Sequence, residues 1–381
     1  MKVSRRIVLA GGLAALAAPA RGQTGGRQIS DALRLNANEY GHAIVPATIN
    51  DQACLALLDN GLSATLVDLG FAARRSLLSG MTSQVNGGEA KRSVKLQLAL
   101  GRLKAAMQAP LVDLSDIPAP EEGGVSVAAG RDMLSETIVT LDHDAGVMRM
   151  ALSDAEFRPP EGARLFVMAR VPRFGQAMDV EVEGERMRAL VDLGSSFPVM
   201  VRESPHVTRW REDGRRWSTM ASGTARGGSL TVEAAPVTRV KALRLGPYEL
   251  AGLPAQVYPA NDPVFGGFAA VVGAQVLRQF LASLDVAGGR LWLKPNARFG
   301  GGFFESTIGL GTKAEEGGLA VIHISANSPA AAAGFKQDDV ITLINGTAAK
   351  RSMIGNARPG DVLTFQLATG DIRKVTAALY Y

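Results

Sequence analysis

From residue 35 to residue 296 the chain alternates short apolar runs with polar turns and glycines. Runs of this length, rich in Val, Leu and Ala, are typical of strands. Helical periodicity is rare here, and short helices are predicted only after Gly130 and Gly273. Residues 102–108 fit a helix and a strand equally well. The pattern therefore predicts a mostly β protein.

One apolar-to-turn pattern occurs twice in this region. Residues 49–63 and 182–196 superpose without a gap at an offset of 133 residues, as Ala-Leu-aliphatic-Asp-x-Gly-x-Ser. Asp59 and Asp192 take the same place in the two copies, and a second apolar run follows each of them. Each copy predicts a strand, a sharp turn and a strand. Taken alone, Asn60-Gly61 also fits a hairpin turn, because Asn-Gly is a strong hairpin signal.

A second matched pair lies downstream and makes chance repetition improbable. Residues 127–134 and 270–277 both read as apolar residues, then Gly130 or Gly273, then a helix-like stretch. Asp142 and Asp285 follow at equal distances and are interpreted as structural residues at strand ends. The two pairs divide the chain into homologous lobes at 35–152 and 163–296, and the Pro-Pro-x-Gly stretch at 156–162 predicts a linker between them.

These repeated motifs resemble those of the pepsin-like and retropepsin-like aspartic proteases, and most closely the exported bacterial family that carries a PDZ domain. The resemblance implies two homologous aspartic-protease-like β lobes with Asp59 and Asp192 as the catalytic pair. Two carboxylates close together cannot both ionise, so the pair shares one proton and activates a water molecule without a metal or organic cofactor. The active-site turns are Asn60 and Gly61 in one lobe, and Leu193 and Gly194 in the other.

Both turns depart from the family pattern. The family has Thr or Ser after each Asp, and that hydroxyl binds across the lobes. Asn60 still donates and accepts a hydrogen bond, whereas the side chain of Leu193 does neither. The sequence therefore predicts a lock that is incomplete on at least one side. It leaves two functions open: an aspartic endopeptidase, or a weak or inactive pseudo-protease that binds peptides.

Glycine-rich segments follow each Asp turn, at residues 83–90 and 220–229. They are candidates for mobile flap hairpins over a peptide cleft, and an ordinary surface hairpin explains them equally well. Gly130 and Gly273 are expected beneath the two Asp turns, where a side chain would clash.

The C-terminal region follows the Gly300–Gly302 linker and contains Ser-Pro-Ala-Ala, Asp-Val-Ile and Ile-Asn-Gly elements in order. These elements resemble a PDZ domain at 303–381, an α+β module that binds an extended peptide by strand addition. The resemblance implies a protein or peptide substrate, and a C-terminal peptide ligand in the groove. It assigns the carboxylate-binding loop to Ile308, Gly309, Leu310, Gly311 and Thr312, and the receiving edge to residues 319–324. The short stretch before Pro359 predicts a shortened groove helix, and a folded PDZ-like cap without a ligand is the alternative.

The first twenty residues have the features of a signal peptide. A basic start with Arg5 and Arg6 precedes a short apolar run and a small-x-small site that ends at Ala20. The paired arginines resemble a twin-arginine signal, although Val8 stands where Phe is usual. The sequence thus predicts export to the periplasm or the medium, and an uncleaved N-terminal anchor is the alternative.

Composition excludes several other classes. The formal charge of +5 falls to +2 without residues 1–20. The sequence has no basic stripe interleaved with aromatic residues, so it does not predict nucleic-acid binding. No later apolar run predicts a transmembrane span. A single cysteine, Cys54, excludes an internal disulfide, and dispersed histidines argue against a metal cluster. His323 and Cys54 are interpreted as structural residues.

Overall fold

The computed structural model describes residues 32–86, 89–115, 117, 119, 124–153, 157–226, 229–263 and 265–381. The predicted signal peptide at 1–20 lies outside the described residues. Among the residues that are described, no helix is both long and apolar enough to cross a membrane. The structure is 49% strand and 9% helix, so the predicted mostly β fold is confirmed.

The first lobe consists of short strands joined by tight turns, with two short α-helices and one 3₁₀ turn (Leu77–Gly80). Its elements are β1 (Leu33–Arg34), β2 (Asn36–Ala37), β3 (Ala43–Ile49), β4 (Gln52–Leu58), β5 (Leu66–Asp68), α1 (Leu69–Arg74), β6 (Met81–Asn86), β7 (Glu89–Leu100), β8 (Leu103–Val112), β9 (Val127–Ala129), α2 (Arg131–Leu134), β10 (Thr137–Asp142) and β11 (Val147–Leu152).

The second lobe repeats this series. Its elements are β12 (Arg164–Val167), β13 (Ala169–Val171), β14 (Gly175–Val182), β15 (Glu185–Val191), β16 (Val199–Arg202), α3 (Pro205–Arg209), β17 (Ser218–Arg226), β18 (Ser229–Leu245), β19 (Tyr248–Tyr258), β20 (Ala270–Val272), α4 (Ala274–Leu277), β21 (Phe280–Asp285) and β22 (Arg290–Pro295).

Sheet topology makes the two lobes equivalent strand by strand. The first lobe has the order β2-β3-β4-β9-β5-β8-β7-β6, and a β3–β7 pairing closes the sheet on itself. The second has the order β13-β14-β15-β20-β16-β19-β18-β17, closed by β14–β18 in the same way. The internal repeat read from the sequence is therefore a repeat of a whole lobe.

A third sheet joins the two lobes, and a pseudo-twofold axis relates its two halves. Its order is β1-β11-β10-β21-β22-β12, so equivalent strands lie at equal distances from its centre. The central strands β10 and β21 are antiparallel, and the hydroxyl oxygens of Thr140 and Ser283 lie 2.8 Å apart. Because each lobe contributes half of this sheet, the two lobes that carry the Asp turns are joined by backbone hydrogen bonds.

A smaller α+β domain follows the second lobe. Its elements are β23 (Leu310–Glu315), β24 (Gly318–Ile324), α5 (Pro329–Ala332), β25 (Val340–Ile344), β26 (Thr347–Ala348), α6 (Arg351–Gly355), β27 (Val362–Leu367) and β28 (Ile372–Thr376). Its sheet has the order β23-β24-β25-β27-β28, with β26 paired to β25. Phe335 and Phe365 pack edge to face in its separate apolar core.

Several local expectations are settled by this topology. The short helices after Gly130 and Gly273 are α2 and α4. Residues 103–112 form strand β8, which resolves the helix-or-strand ambiguity. The hairpin reading of Asn60-Gly61 is wrong, because β4 and β5 do not pair with each other; both pair with β9, which lies between them.

Candidate functional site

The two Asp turns meet at the interface between the lobes. Asp59 follows β4 and Asp192 follows β15, so each carboxylate stands at the end of a buried strand. The N–H groups anchor the turns symmetrically, with Asp59 donating to the Ala129 carbonyl and Asp192 to the Val272 carbonyl, both at 3.0 Å. The structure thus brings the two predicted carboxylates to equivalent places across the pseudo-twofold axis.

The glycine of each turn lies against the carboxylate of the other lobe. A Cβ atom placed on Gly61 would stand 2.7 Å from both carboxylate oxygens of Asp192. A Cβ on Gly194 would stand 2.2 Å from Cγ of Asp59. Real Cβ atoms do not approach other atoms this closely, so only glycine fits at either position. Each Asp-x-Gly motif is therefore shaped to receive the partner carboxylate.

This packing predicts that even an added methyl group at Gly194 destabilises the fold. We expect Gly194→Ala to lower the free energy of unfolding by about 1–3 kcal/mol, because the methyl group overlaps Asp59 and forces the turns apart. Gly302→Ala is the matched control, since a Cβ there has no atom within 4 Å. Denaturant unfolding of both variants measures the difference. An equal stability of the two variants would contradict the described contact.

Burial dominates the electrostatics of the pair. Neither Asp59 nor Asp192 has solvent-accessible surface. One oxygen of each is bonded, Oδ1 of Asp59 by the N–H of Leu62 and Oδ1 of Asp192 by the N–H of Gly194. Both Oδ2 atoms are buried, and among the described residues neither has a hydrogen-bond partner. Burial, with the charge of Asp192, raises the pKa of Asp59 well above its usual range, and burial raises the pKa of Asp192. Such a pair holds a proton at a pH where ordinary carboxyls are ionised.

Asn60 makes the cross-lobe lock by itself. Its Nδ2 donates to the Val191 carbonyl at 2.7 Å, and its Oδ1 accepts from the N–H of Leu193 at 2.8 Å. The amide of one residue thus makes two bonds to the opposite turn. The Leu193 side chain packs in the main apolar core instead. The lock is one-sided, as the sequence indicated, and the Asn60 amide supplies one donated and one accepted hydrogen bond to it.

Arg131 is a member of the site that sequence reasoning missed. Its Nη1 donates to the carbonyls of Asn60 and Gly61 in the first lobe at 2.8 Å, and to that of Phe174 in the second at 2.6 Å. Nη2 donates to the Arg173 carbonyl at 2.7 Å. The positive guanidinium opposes the rise in pKa of both catalytic candidates. The sequence did contain a signal for this residue: Arg131 follows Gly130, whereas the equivalent position after Gly273 is Ala274.

His42 was also missed and approaches the site from the first lobe. It is buried just before β3, and its Nδ1 lies 3.1 Å from the Asn38 side-chain nitrogen. Burial lowers the pKa of His42 to about 4, and the backbone of Gly194 opposes part of this shift. His42 is therefore neutral near neutral pH and adds no charge beside the carboxylates.

The glycines of the second motif lie beneath the Asp turns, as expected. A Cβ on Gly130 would stand 2.7 Å from the carbonyl carbon of Ala64, and one on Gly273 would stand 2.0 Å from the Phe197 carbonyl oxygen. Asp132 fixes the first turn further by accepting hydrogen bonds from the N–H and hydroxyl of Thr65. The two motifs of each lobe thus form one packed unit.

The two flap candidates are both hairpins. Residues 83–90 belong to the β6–β7 hairpin and residues 220–229 to the β17–β18 hairpin, which occupy equivalent positions in the two sheets. Their tips, 87–88 and 227–228, lie outside the described residues. The hairpin geometry is therefore present in both lobes at the predicted places.

The predicted structural residues occupy structural positions. Asp285 accepts hydrogen bonds from Ser153 and Gly288 and pairs with Arg290, and Asp142 accepts one from the N–H of Ala145 in a turn. Burial raises the pKa of Cys54 to about 12, so its thiol stays protonated at neutral pH. Among the described residues no three metal-binding side chains cluster.

The predicted carboxylate-binding loop precedes and begins β23. Ile308, Gly309, Leu310, Gly311 and Thr312 are all buried. The assignment of the receiving edge to residues 319–324 is wrong, because β24 is paired on both sides, with β23 and β25. The edge beside this loop is β23 itself. The helix near it, α6, has five residues and is as short as the sequence predicted.

Comparison with known families supports the C-terminal assignment. Residues 306–376 match the family model of a PDZ domain, so the chain carries a peptide- or protein-binding module there. No curated protein matches the chain. The two β lobes fit a protease-like fold by their own topology.

Proposed function

We propose that this chain is an exported aspartic endopeptidase, acting in the periplasm or outside the cell, with a PDZ domain that binds a second stretch of polypeptide. One observation carries the proposal: two buried carboxylates occupy equivalent places across a pseudo-twofold axis, each against the glycine of the opposite turn. A purely structural role does not explain this arrangement, since burying two unpaired carboxyl oxygens costs stability.

The chemistry follows from the shared proton. Asp59 and Asp192 hold one proton between them when one carboxyl is ionised. The ionised member accepts a proton from water, and the protonated member donates a hydrogen bond to the carbonyl of the scissile peptide. Water then adds to the carbonyl carbon, and a proton passes to the leaving amine. Because burial raises both pKa values, the singly protonated pair extends to a higher pH than two ordinary carboxyls would allow.

Cleavage of a diverse peptide mixture tests the proposal. The chain without residues 1–20 would be incubated with the mixture from acid to neutral pH, and the products read by mass spectrometry. Asp59→Asn and Asp192→Asn run alongside. We expect cleavage by the wild type and its loss in both variants. A folded wild type that cleaves nothing at any pH would overturn the peptidase proposal.

A pseudo-protease that binds peptides without cleaving them is the second candidate. The observation that favours it is the apolar side chain of Leu193 at the place of a hydroxyl, since a displacement of about 1 Å at a catalytic group costs on the order of a hundredfold in rate. In this case the cleft and the PDZ domain would both act as binding sites.

Variants of the lock separate the two candidates. We expect Leu193→Thr to leave the cleavage rate within about threefold of the wild type, because Asn60 already makes two bonds to the opposite turn. Asn60→Ala removes both bonds and should lower the rate on the order of a hundredfold. Rates on one peptide substrate measure both effects. A sharp rise in cleavage with Leu193→Thr would show that the natural lock is deficient and would favour the pseudo-protease.

A further inference from the structure

A cavity of about 350 Å³ lies where the second lobe meets the segment that leads to the PDZ domain. Residues of α4 and the turn after it form one wall, and the segment at 298–304 forms the other. Gln275 in the first wall donates to the Ser196 carbonyl at 2.7 Å, so the cavity lies next to the segment that follows Asp192. Its volume is in the lower part of the range of small-molecule sites.

Two arginine side chains line this cavity, and little negative charge opposes them. Arg278 is half-buried, and among the described residues its guanidinium has neither an acidic partner nor a hydrogen bond. Burial and the neighbouring charge of Arg298 lower the pKa of Arg278. Nη1 of Arg298 lies 3.7 Å from Oδ1 of Asp144, whose Oδ2 accepts from the N–H of Ala297. Two guanidinium groups thus face one carboxylate that is already partly engaged.

The buried ring of His143 responds to the same two charges. It lies in the first lobe, in the turn between β10 and β11. Burial, together with the charges of Arg278 and Arg298, lowers the pKa of His143 to about 4, although Asp142 and Asp144 oppose this shift. His143 is therefore neutral near neutral pH, and the two arginines supply the positive charge of the cavity.

Side-chain amides hold the backbone around the two arginines in place. Oδ1 of Asn296 accepts from the N–H of Arg298, and its Nδ2 donates to the Arg278 carbonyl, both at 2.9 Å. Oε1 of Gln279 accepts from the N–H of Gly300 at 2.8 Å. The backbone of both walls is thus fixed before a ligand binds, so the entropy lost on binding is mostly that of the two side chains.

This pair of donors suits a phosphate monoester better than a carboxylate. A carboxylate has one charge and two oxygens, which a single guanidinium fork satisfies. A phosphate monoester has a charge of about −1.5 to −2 near neutral pH and three free oxygens, so it can bridge two forks. The half-buried Phe304 and the exposed Gly302, where a Cβ would meet no atom within 4 Å, leave room for the organic part.

We propose that this cavity binds a phosphate monoester, whose phosphate group Arg278 and Arg298 hold between their guanidinium groups. The ester is either a small soluble molecule or the headgroup of a phospholipid. Binding offsets the repulsion between the two guanidinium groups, so it stabilises the fold. The proposal does not depend on peptidase activity, because the cavity contains neither Asp59 nor Asp192.

Calorimetric titration of the full chain at pH 7.5 tests the ligand class. The probes are glycerol 3-phosphate, acetate, and phosphatidylcholine vesicles with and without phosphatidic acid. We expect glycerol 3-phosphate to bind at least about tenfold more tightly than acetate, because the second fork adds charge-assisted hydrogen bonds. Tighter binding to the phosphatidic acid vesicles would assign the lipid source, and weaker binding the soluble one. Binding of neither phosphate probe, or equal binding of acetate, would overturn the proposal.

Variants of the two arginines locate the site. Arg278→Met and Arg298→Met should each raise the dissociation constant of glycerol 3-phosphate at least about tenfold. Arg186→Met is the matched control, because it removes the same charge from an exposed side chain outside the cavity. We expect it to change the constant by less than about twofold, since salt screens distant charges. Equal losses in all three variants would show attraction by net charge alone and would overturn the site.

Thermal unfolding of Arg278→Met shows whether its guanidinium has a structural role instead. In phosphate-free buffer the variant should melt at or above the temperature of the wild type, because it loses no described partner and no longer repels Arg298. Glycerol 3-phosphate should raise the melting temperature of the wild type and leave that of the variant unchanged. If Arg278→Met does not fold, Arg298→Met provides the same comparison. An equal rise in wild type and variant would overturn the proposal.

Discussion

Asp192→Asn is expected to abolish peptide cleavage and, at the same time, to stabilise the fold at neutral pH. Activity is lost because an amide neither accepts the proton of the attacking water nor shares one with Asp59. Stability rises because burial raises the pKa of Asp192, so its charged form is disfavoured in the folded state. We expect a gain of about 1–2 kcal/mol in the free energy of unfolding at pH 7.5.

The pH dependence gives the sign of this effect. A carboxyl whose pKa is raised by folding leaves the free energy of unfolding unchanged below its unfolded pKa of about 4. As the pH rises from that pKa to the pKa in the folded state, the carboxyl lowers the free energy of unfolding progressively. The gain from Asp192→Asn should therefore vanish toward pH 4. Thermal unfolding of wild type and variant at pH 4 and 7.5 measures it.

Asp285→Asn is the matched control, because Asp285 is equally buried but fully partnered. Ser153 and Gly288 donate to its Oδ1, and Arg290 pairs with its Oδ2. The same chemical change should here lower the free energy of unfolding by about 1.5–3 kcal/mol. If Asp192→Asn destabilised the protein as Asp285→Asn does, the ionised Asp192 carboxylate would be stabilised by more than the Gly194 N–H, and its role in a proton-sharing pair would be contradicted.

Arg131→Met is expected to destabilise the fold and to shift the pH dependence of the cleavage rate. The substitution leaves the carbonyls of Asn60, Gly61 and Phe174 without their donor, which should lower the free energy of unfolding by about 2–4 kcal/mol. It also removes a positive charge that lowers the pKa of both catalytic candidates. With higher pKa values, the ionised member of the pair appears only at higher pH. The acid limb of the rate profile should therefore shift upward.

Arg131→Lys separates position from charge. Lysine keeps the positive charge but lacks the planar fork that reaches several carbonyls at once. We expect it to lose stability as Arg131→Met does while keeping the acid limb near that of the wild type. Chemical denaturation and a pH–rate profile on one peptide substrate provide both readouts. An unchanged acid limb in Arg131→Met would show that the guanidinium does not act on the pair and serves only to join the lobes.

The repeated pattern determined the lobes and the position of the two Asp turns. Local chemistry sufficed, because an apolar run that ends in Asp-x-Gly indicates a strand followed by a turn, and two copies in one frame support each other. The matched offset then required two copies of one lobe. The PDZ domain was readable for the same reason, since its turn and strand elements are local and ordered.

The partners of those turns could not be read in this way. The sequence showed that Leu193 lacks a hydroxyl, but not that Asn60 reaches both Val191 and the N–H of Leu193. Those atoms are 131 and 133 positions away, and their approach depends on how two lobes pack. The same holds for the receiving strand, because β23 becomes an edge only when the whole sheet is assembled.

The sequence by itself thus determined the elements, the internal repeat and the pair of carboxylates, all of which follow from spacing along the chain. Only the tertiary structure decided that Arg131 joins the lobes and that the two carboxylates are fully buried. The physical reason is that burial and long-range hydrogen bonds arise from packing between segments distant in sequence, and no local pattern encodes that packing.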